Sequence, residues 1–173
     1  LVDFVIVVLP PNQTLHRVDV MTCVGGKSRS LSVYNGLIAA KSLSPDKVLI
    51  HDVARPAVSE NIITEIILAI NEKTGAAPGL PITDALWKIS DGEIEKTLNR
   101  DFIFRAQTPQ GFPYSKILEA HENRSDERAF DDVELAKKSG LKVILKTGHK
   151  DNMKITTPED FSKISKILVK KLD

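Results

Sequence analysis

The sequence predicts an α/β fold: a mostly parallel sheet with helices on both faces and a protruding β-arm. Three observations point there. Short apolar runs alternate with longer segments of helical spacing, the rhythm of strands joined by crossover helices. Two extended runs flank Asp91-Gly92, a hairpin turn signal that interrupts this alternation. A chain of 173 residues, 42% hydrophobic and 27% charged, suits one globular domain with a real core.

The elements follow in order. Phe4 to Leu9 reads as a strand, stopped by Pro10-Pro11, and Val18 to Val24 as a second strand, closed by Gly25-Gly26. Ser28 to Ser42 has helical spacing at Leu31, Val33, Leu37 and Ile38. Val48 to His51 is a third strand. Ser59 caps a helix with Ile62, Ile63, Ile66, Ile67 and Ile70 on its buried side. Ala76 to Ile82 is a short extended run. Leu86 to Ile89 and Glu93 to Leu98 form the hairpin, and Phe102 to Gln107 is another strand. Tyr114 to Glu122 and Asp131 to Lys138 are helical, with Gly140 ending the latter. Val143 to Leu145 is a strand, and Thr157-Pro158 opens the last helix as cap and first residue.

Composition narrows the function. Net charge is +1, from 24 basic and 23 acidic residues, so neither nucleic acid nor an anionic membrane is an expected partner. The single cysteine, Cys23, cannot form an internal disulfide; in its apolar run it reads as a packed thiol rather than a nucleophile. No apolar stretch reaches membrane-spanning length, and no basic n-region with an apolar h-region is visible at the start, so a signal peptide is not expected from these residues. The chain begins inside a hydrophobic strand without Met, and the expectation is that residues upstream are missing. The histidines His16, His51, His121 and His149 show no metal-ligand spacing.

The most informative run is Val48-Leu49-Ile50-His51-Asp52-Val53-Ala54-Arg55-Pro56. Open α/β sheets bind ligands beyond the carboxyl ends of their strands, where this run delivers an acid and a base. Asp52 can hold a divalent metal through oxygen ligands, and Arg55 can grip a phosphate with its planar fork. The alternative is a surface turn with an ordinary ion pair. Gly25-Gly26-Lys27-Ser28-Arg29-Ser30-Leu31-Ser32 joins a strand to a helix; it is either a close-approach loop for an anion or polar ring, or a tight turn with a serine cap. Thr108-Pro109-Gln110-Gly111-Phe112 is either a polar ligand loop or a stiff connection. Phe130-Asp131-Asp132 is either a carboxylate pair for metal or a first-turn Asp favoured by the helix dipole. Asp151-Asn152-Met153-Lys154-Ile155-Thr156 places one Lys before a capped helix, for which the alternative is a solvated surface group.

Taken together, these segments give a resemblance. Gly25-Gly26 with Arg29, Ser32 and Asn35-Gly36-Leu37, then His51-Asp52-Val53-Ala54-Arg55-Pro56, open the pattern. Asp84, Arg100, Thr108-Pro109-Gln110, Asp131-Asp132 and Asn152-Met153-Lys154-Ile155-Thr156 follow in order over nearly the whole chain. The chain resembles the 2-C-methyl-D-erythritol 4-phosphate cytidylyltransferases of non-mevalonate isoprenoid biosynthesis. The wording Ala106 to Phe112 looks most like forms fused to a cyclodiphosphate synthase.

The resemblance implies a Rossmann-like nucleotidyltransferase fold as a single domain over 1–173, with a β-arm at about 84–106. It implies CTP and a small polyol phosphate as substrates, and Mg2+ or another divalent cation held at Asp52. Gly25, Gly26, Arg29, Ser32 and Asp52 would bind nucleotide. Asp52, Arg55, Asp84, Arg100, Thr108, Lys154 and Thr156 would bind substrate, and Lys154, Arg100 and Arg55 would act in catalysis. Arg100 and Thr108 would reach the site of a partner subunit in an arm-mediated homodimer. A cyclodiphosphate synthase, fused or separate, is an implied partner, and bacterial cytoplasm or plastid stroma the implied setting. The family's nucleotide loop, A-A-G-x-G-x-R followed by Lys, is expected upstream of Leu1. A ribitol-5-phosphate cytidylyltransferase is the alternative enzyme, and a non-catalytic nucleotide-binding or scaffold domain the alternative outside catalysis.

Overall fold

The computed structural model describes residues 1–123 and 131–170. β1 (Ile6–Leu9) and β2 (Met21–Val24) pair in parallel as a separate two-stranded sheet. Ser28 accepts a hydrogen bond from the Leu31 N–H and so starts α1 (Arg29–Ala40). β3 (Lys47–Ile50) leads to α2 (Glu60–Ala69), whose cap Ser59 accepts from the Ile62 N–H. β4 (Thr74–Pro81) is the axis of the main sheet.

β5 (Leu86–Ser90) and β6 (Glu93–Leu98) form the arm. Asp91 and Gly92 both have positive φ, the conformation of a tight two-residue hairpin turn. β7 (Phe104–Ala106) and β8 (Gln110–Pro113) follow, separated by a cis Thr108–Pro109 peptide. α3 (Tyr114–Glu122), α4 (Asp132–Lys138), β9 (Lys142–Thr147) and α5 (Pro158–Val169) complete the order. Thr157 and Asp160 cap α5 reciprocally. No helix among the described residues is long and apolar enough to cross a membrane.

The α/β class and the arm stand as expected, but the sheet is mixed rather than mostly parallel. β4 runs parallel to β9 and antiparallel to β7 and β8, and β3 is antiparallel to β8. The difference lies in β8, which hides inside the run expected to be a loop. A Gln, a Gly and a Pro flanking one Phe do not announce a strand. Tertiary packing makes it one: a Cβ on Gly111 would stand 2.5 Å from Ile66 Cγ2 and 2.6 Å from Ile70 Cδ1, so only glycine lets α2 lie this close. The strand expected from Phe102 is shortened, because Phe102 takes a positive φ.

Helices cover both faces. Val48 and Ile50 of β3 pack against one core, built on Leu37, Phe112, Ile117 and Leu135 from α1, β8, α3 and α4. Leu49, pointing the other way, packs with Ile62, Ile66, Ile70 and Ala76. This alternation along one strand is what a doubly covered sheet requires. The loop after β3 is thereby held between two buried layers.

Candidate functional site

Asp52 stands just past the carboxyl end of β3 and gathers three cations. Lys154 Nζ lies 3.0 Å from Asp52 Oδ2, Arg55 Nε 3.7 Å from Oδ2, and Arg29 Nε 3.8 Å from Oδ1. Burial alone would push the Asp52 carboxyl up. The hydrogen bond and charge of Lys154, with the charges of Arg29 and Arg55, outweigh it and hold the group below the usual carboxylate range.

Thr108 and His51 brace this loop. Thr108 Oγ1 accepts from the Asp52 N–H at 3.0 Å, and lies 2.9 Å from His51 Nδ1. His51 Nε2 lies 3.1 Å from the Arg55 carbonyl. A carbonyl only accepts, so Nε2 carries the proton and Nδ1 accepts from the Thr108 hydroxyl. Burial pushes the His51 imidazole below its ordinary value, which favours this neutral form. Thr108 is only 4% exposed, so the expectation that it reaches a partner's site is corrected: it serves the loop of its own chain.

Arg55 turns inward. Its Nη1 donates to the Asn152 carbonyl at 2.8 Å and its Nη2 to the Ala106 carbonyl at 3.3 Å. Its guanidinium ties the loop after β3 to the end of β7 and to the segment after β9. These two bonds engage two of its five N–H donors. The Ile155 N–H donates to the Ala54 carbonyl at 2.8 Å, a second tie that sets Lys154 beside Asp52.

The Gly25–Ser32 loop closes on itself. Ser32 Oγ accepts from the Gly26 N–H at 3.1 Å and donates to the Ser28 carbonyl at 2.9 Å. Arg29, at the first turn of α1, spans from Asp52 to Asp132, with Nη2 2.8 Å from Asp132 Oδ2. The structure thus brings together Arg29, Asp52, Arg55, Thr108 and Lys154. Thr156 is next to this group in sequence but its hydroxyl donates to Asp160 at the start of α5. Arg100 donates to the Thr83 carbonyl at the base of the arm, and Asp84 is exposed nearby. Neither makes a hydrogen bond or ion pair to the Asp52 cluster among the described residues.

Two neighbours of the site, Asn152 and Gln107, received no role from sequence reasoning, and a third, Asp132, was read only as half of a metal pair or as a first-turn acid. Asn152, 1% exposed, donates to the Thr108 carbonyl at 2.8 Å while its own carbonyl receives Arg55. Gln107 donates to the His149 and Asn152 carbonyls. Asp132 pairs with Arg29. The available signal was polar residues embedded in otherwise apolar or stiff segments, such as Gln107 before Thr108-Pro109. The carboxylate pair Asp131-Asp132 is not a metal pair: Asp131 caps α4 by accepting from the Glu134 N–H, while Asp132 faces Arg29. Phe130 lies outside the described residues. Among the described residues no three His, Cys, Asp or Glu side chains form a metal-holding group. Asp52 supplies one hard carboxylate, which suits an ion that takes its other ligands from phosphates and water.

Comparison with known proteins bears on this geometry. Residues 1–170 match the sequence model of the IspD family, described as 2-C-methyl-D-erythritol 4-phosphate cytidylyltransferase. The bifunctional enzyme IspD/IspF of Ruegeria sp. (strain TM1040) is 47% identical over 155 residues, 90% of this chain and 40% of that protein. The 2-C-methyl-D-erythritol 4-phosphate cytidylyltransferase of Cereibacter sphaeroides (strain KD131 / KCTC 12085) is 44% identical over 144 residues, 83% of this chain and 64% of that protein. The chain therefore spans less than two thirds of the length of these relatives. The crystal structure of 2-C-methyl-D-erythritol 4-phosphate cytidylyltransferase from Thermus thermophilus superposes with a TM-score of 0.88 at 32% identity, covering 96% of this chain and 82% of that one.

Proposed function

The chain belongs to the 2-C-methyl-D-erythritol 4-phosphate cytidylyltransferase family, and we propose that it carries out that family's reaction. A phosphate oxygen of methylerythritol phosphate forms a bond to the α-phosphorus of CTP. The bond from that phosphorus to the β-phosphate oxygen breaks, releasing pyrophosphate. The observation that carries this reading is the Asp52 cluster: one carboxylate beyond a strand end with Lys154, Arg55 and Arg29 around it.

The residues divide the work. The Gly25-Gly26 backbone, Arg29 and Ser32 receive the nucleotide at the start of α1. Lys154 neutralises charge gathering on the phosphorus oxygens, which is most of what a protein contributes to phosphoryl-type transfer. Arg55, fixed to backbone carbonyls, acts by keeping Asp52 and the Lys154 segment in register. Thr108 holds the Asp52 loop, and Thr156 holds the start of α5. Asp52 would hold a divalent cation, Mg2+ or another, which would supply positive charge to offset that of the nucleotide's phosphates. The arm, with Trp87, Ile89 and Ile94 exposed, forms a homodimer that carries Asp84 and Arg100 to the partner's polyol phosphate. Bacterial cytoplasm or plastid stroma is the setting that fits. The bifunctional relatives support a cyclodiphosphate synthase, fused or separate, as the user of the product.

The test is pyrophosphate release by the natural full-length protein from CTP with methylerythritol phosphate or with ribitol 5-phosphate. Release with the first is expected. Release with ribitol phosphate alone would establish the alternative substrate, and CTP binding without turnover would make this a non-catalytic nucleotide-binding domain.

A further inference from the structure

Behind Arg29 lies a buried pair that the reaction does not use directly. Asp132 is 2% exposed and His121 1% exposed. His121 Nε2 lies 3.1 Å from Asp132 Oδ1, and the imidazole stacks on Tyr34 of α1 with ring centroids 6.5 Å apart. The other Asp132 oxygen is the one 2.8 Å from Arg29 Nη2. Arg29 itself is 38% exposed at its side chain, with Nε turned to Asp52. Groups from α3, α4, α1 and the β3 loop thus form one line, His121–Asp132–Arg29–Asp52, which Lys154 continues.

The line is rigid at its buried end. Gln110 of β8 donates to Asp131 Oδ2 at 3.1 Å and accepts from the Val133 N–H at 3.3 Å, pinning the first turn of α4. A carboxylate this deeply buried must be paired. Helix packing alone would be served by apolar residues here. What the carboxylate adds is a fixed anion behind a half-exposed arginine, whose long side chain otherwise samples many rotamers.

We propose that Asp132, oriented by His121, is a positioning residue that fixes the Arg29 guanidinium across the nucleotide pocket toward Asp52. The inference rests on the reading that this pocket takes CTP. It adds that nucleotide affinity depends on a residue outside the pocket, acting through an arginine already oriented before the ligand arrives.

Asp132→Asn keeps the shape and removes the charge. In the natural full-length protein it should raise both the CTP dissociation constant, measured by calorimetry without the alcohol phosphate, and the KM for CTP by about tenfold. The KM for methylerythritol phosphate should stay within about twofold and kcat should fall by less than the CTP KM rises, the mark of lost binding rather than lost transition-state contact. Arg29→Gln combined with Asp132→Asn should weaken CTP binding no further than Arg29→Gln alone. His121→Gln, a gentler change, should weaken CTP binding in the same direction and gives the readout if Asp132→Asn does not fold. Wild-type protein that neither binds nor uses CTP would defeat the functional reading. Wild-type protein that does both, with Asp132→Asn or His121→Gln binding CTP equally well, would overturn the positioning role, as would additive effects in the double variant.

Discussion

Lys154 Nζ sits 3.0 Å from Asp52 Oδ2, an ion pair that joins the segment after β9 to the loop after β3 beside the hydrogen bonds from Arg55 and Ile155. The lysine is 45% exposed at its side chain and the aspartate 18%. The contact therefore leaves the lysine half-exposed beside Asp52 rather than sealed inside.

Lys154→Ala should lower kcat by about a hundredfold while raising the KM for the alcohol phosphate much less, because the ammonium matters most as charge gathers in the transition state. Lys154→Arg should restore only part of the rate, since a planar fork does not replace a point charge. Steady-state kinetics in both substrates check this. A change confined to KM would make Lys154 a binding group.

Arg55→Ala should impair both turnover and folding. It removes the Arg55 donor from the Ala106 carbonyl, leaves the Asn152 carbonyl with Gln107 alone, and removes a cation from Asp52. Loss of a partly buried, multiply bonded arginine should destabilise by about 2 kcal/mol or more. Thermal melts should show a lower Tm, and activity measured well below that Tm should still be strongly reduced. Wild-type kinetics would remove Arg55 from the site.

Acid should loosen the His51 brace. Burial depresses the imidazole below its ordinary 6.5, and the hydrogen bond to the Arg55 carbonyl and the Asp52 charge offset this only in part. Between 6.5 and the depressed value the unfolded chain binds more protons than the folded one. This contribution to stability is whole above 6.5 and is lost as pH falls through the folded value. The stability gap between wild type and His51→Gln should therefore shrink on acidification through that window. A proton-NMR titration should place the His51 midpoint below 6.5, and a midpoint above it would contradict the neutral brace.

The arm should hold a dimer. Trp87, Ile89, Ile94 and Leu98 are exposed on an isolated two-stranded ribbon, and such ribbons are marginal in water unless something covers them. Light scattering should give twice the protomer mass, and Trp87→Asp with Ile94→Asp should give monomers. A wild-type monomer at assay concentrations would count against the arm interface.

Locally signalled elements were legible in the sequence. Ser28, Ser59 and Thr157 announce their helices by capping chemistry, and Asp91-Gly92 announces its turn by the positive φ it tolerates. β8 was not legible, because Gln110, Gly111 and Pro113 form a strand only under the pressure of α2. Asp52 and Lys154 were legible as chemistry at element ends. The inward turn of Arg55, the role of Asn152 and the pairing of Asp132 with Arg29 were not, since each depends on contacts between segments far apart in the chain.

The Arg55 tie spans 51 positions to Ala106 and 97 to Asn152. A ribosome delivers the acidic loop long before it delivers the segment that completes it. While the chain is being made, the loop around Asp52 emerges without its lysine, its carbonyl partners or Thr108. Closing these long loops requires the intervening strands to be in place. Competence at this site therefore arrives only once Asn152 and Lys154 have been made, and a stalled nascent chain that ends before Asn152 carries Asp52 without its lysine.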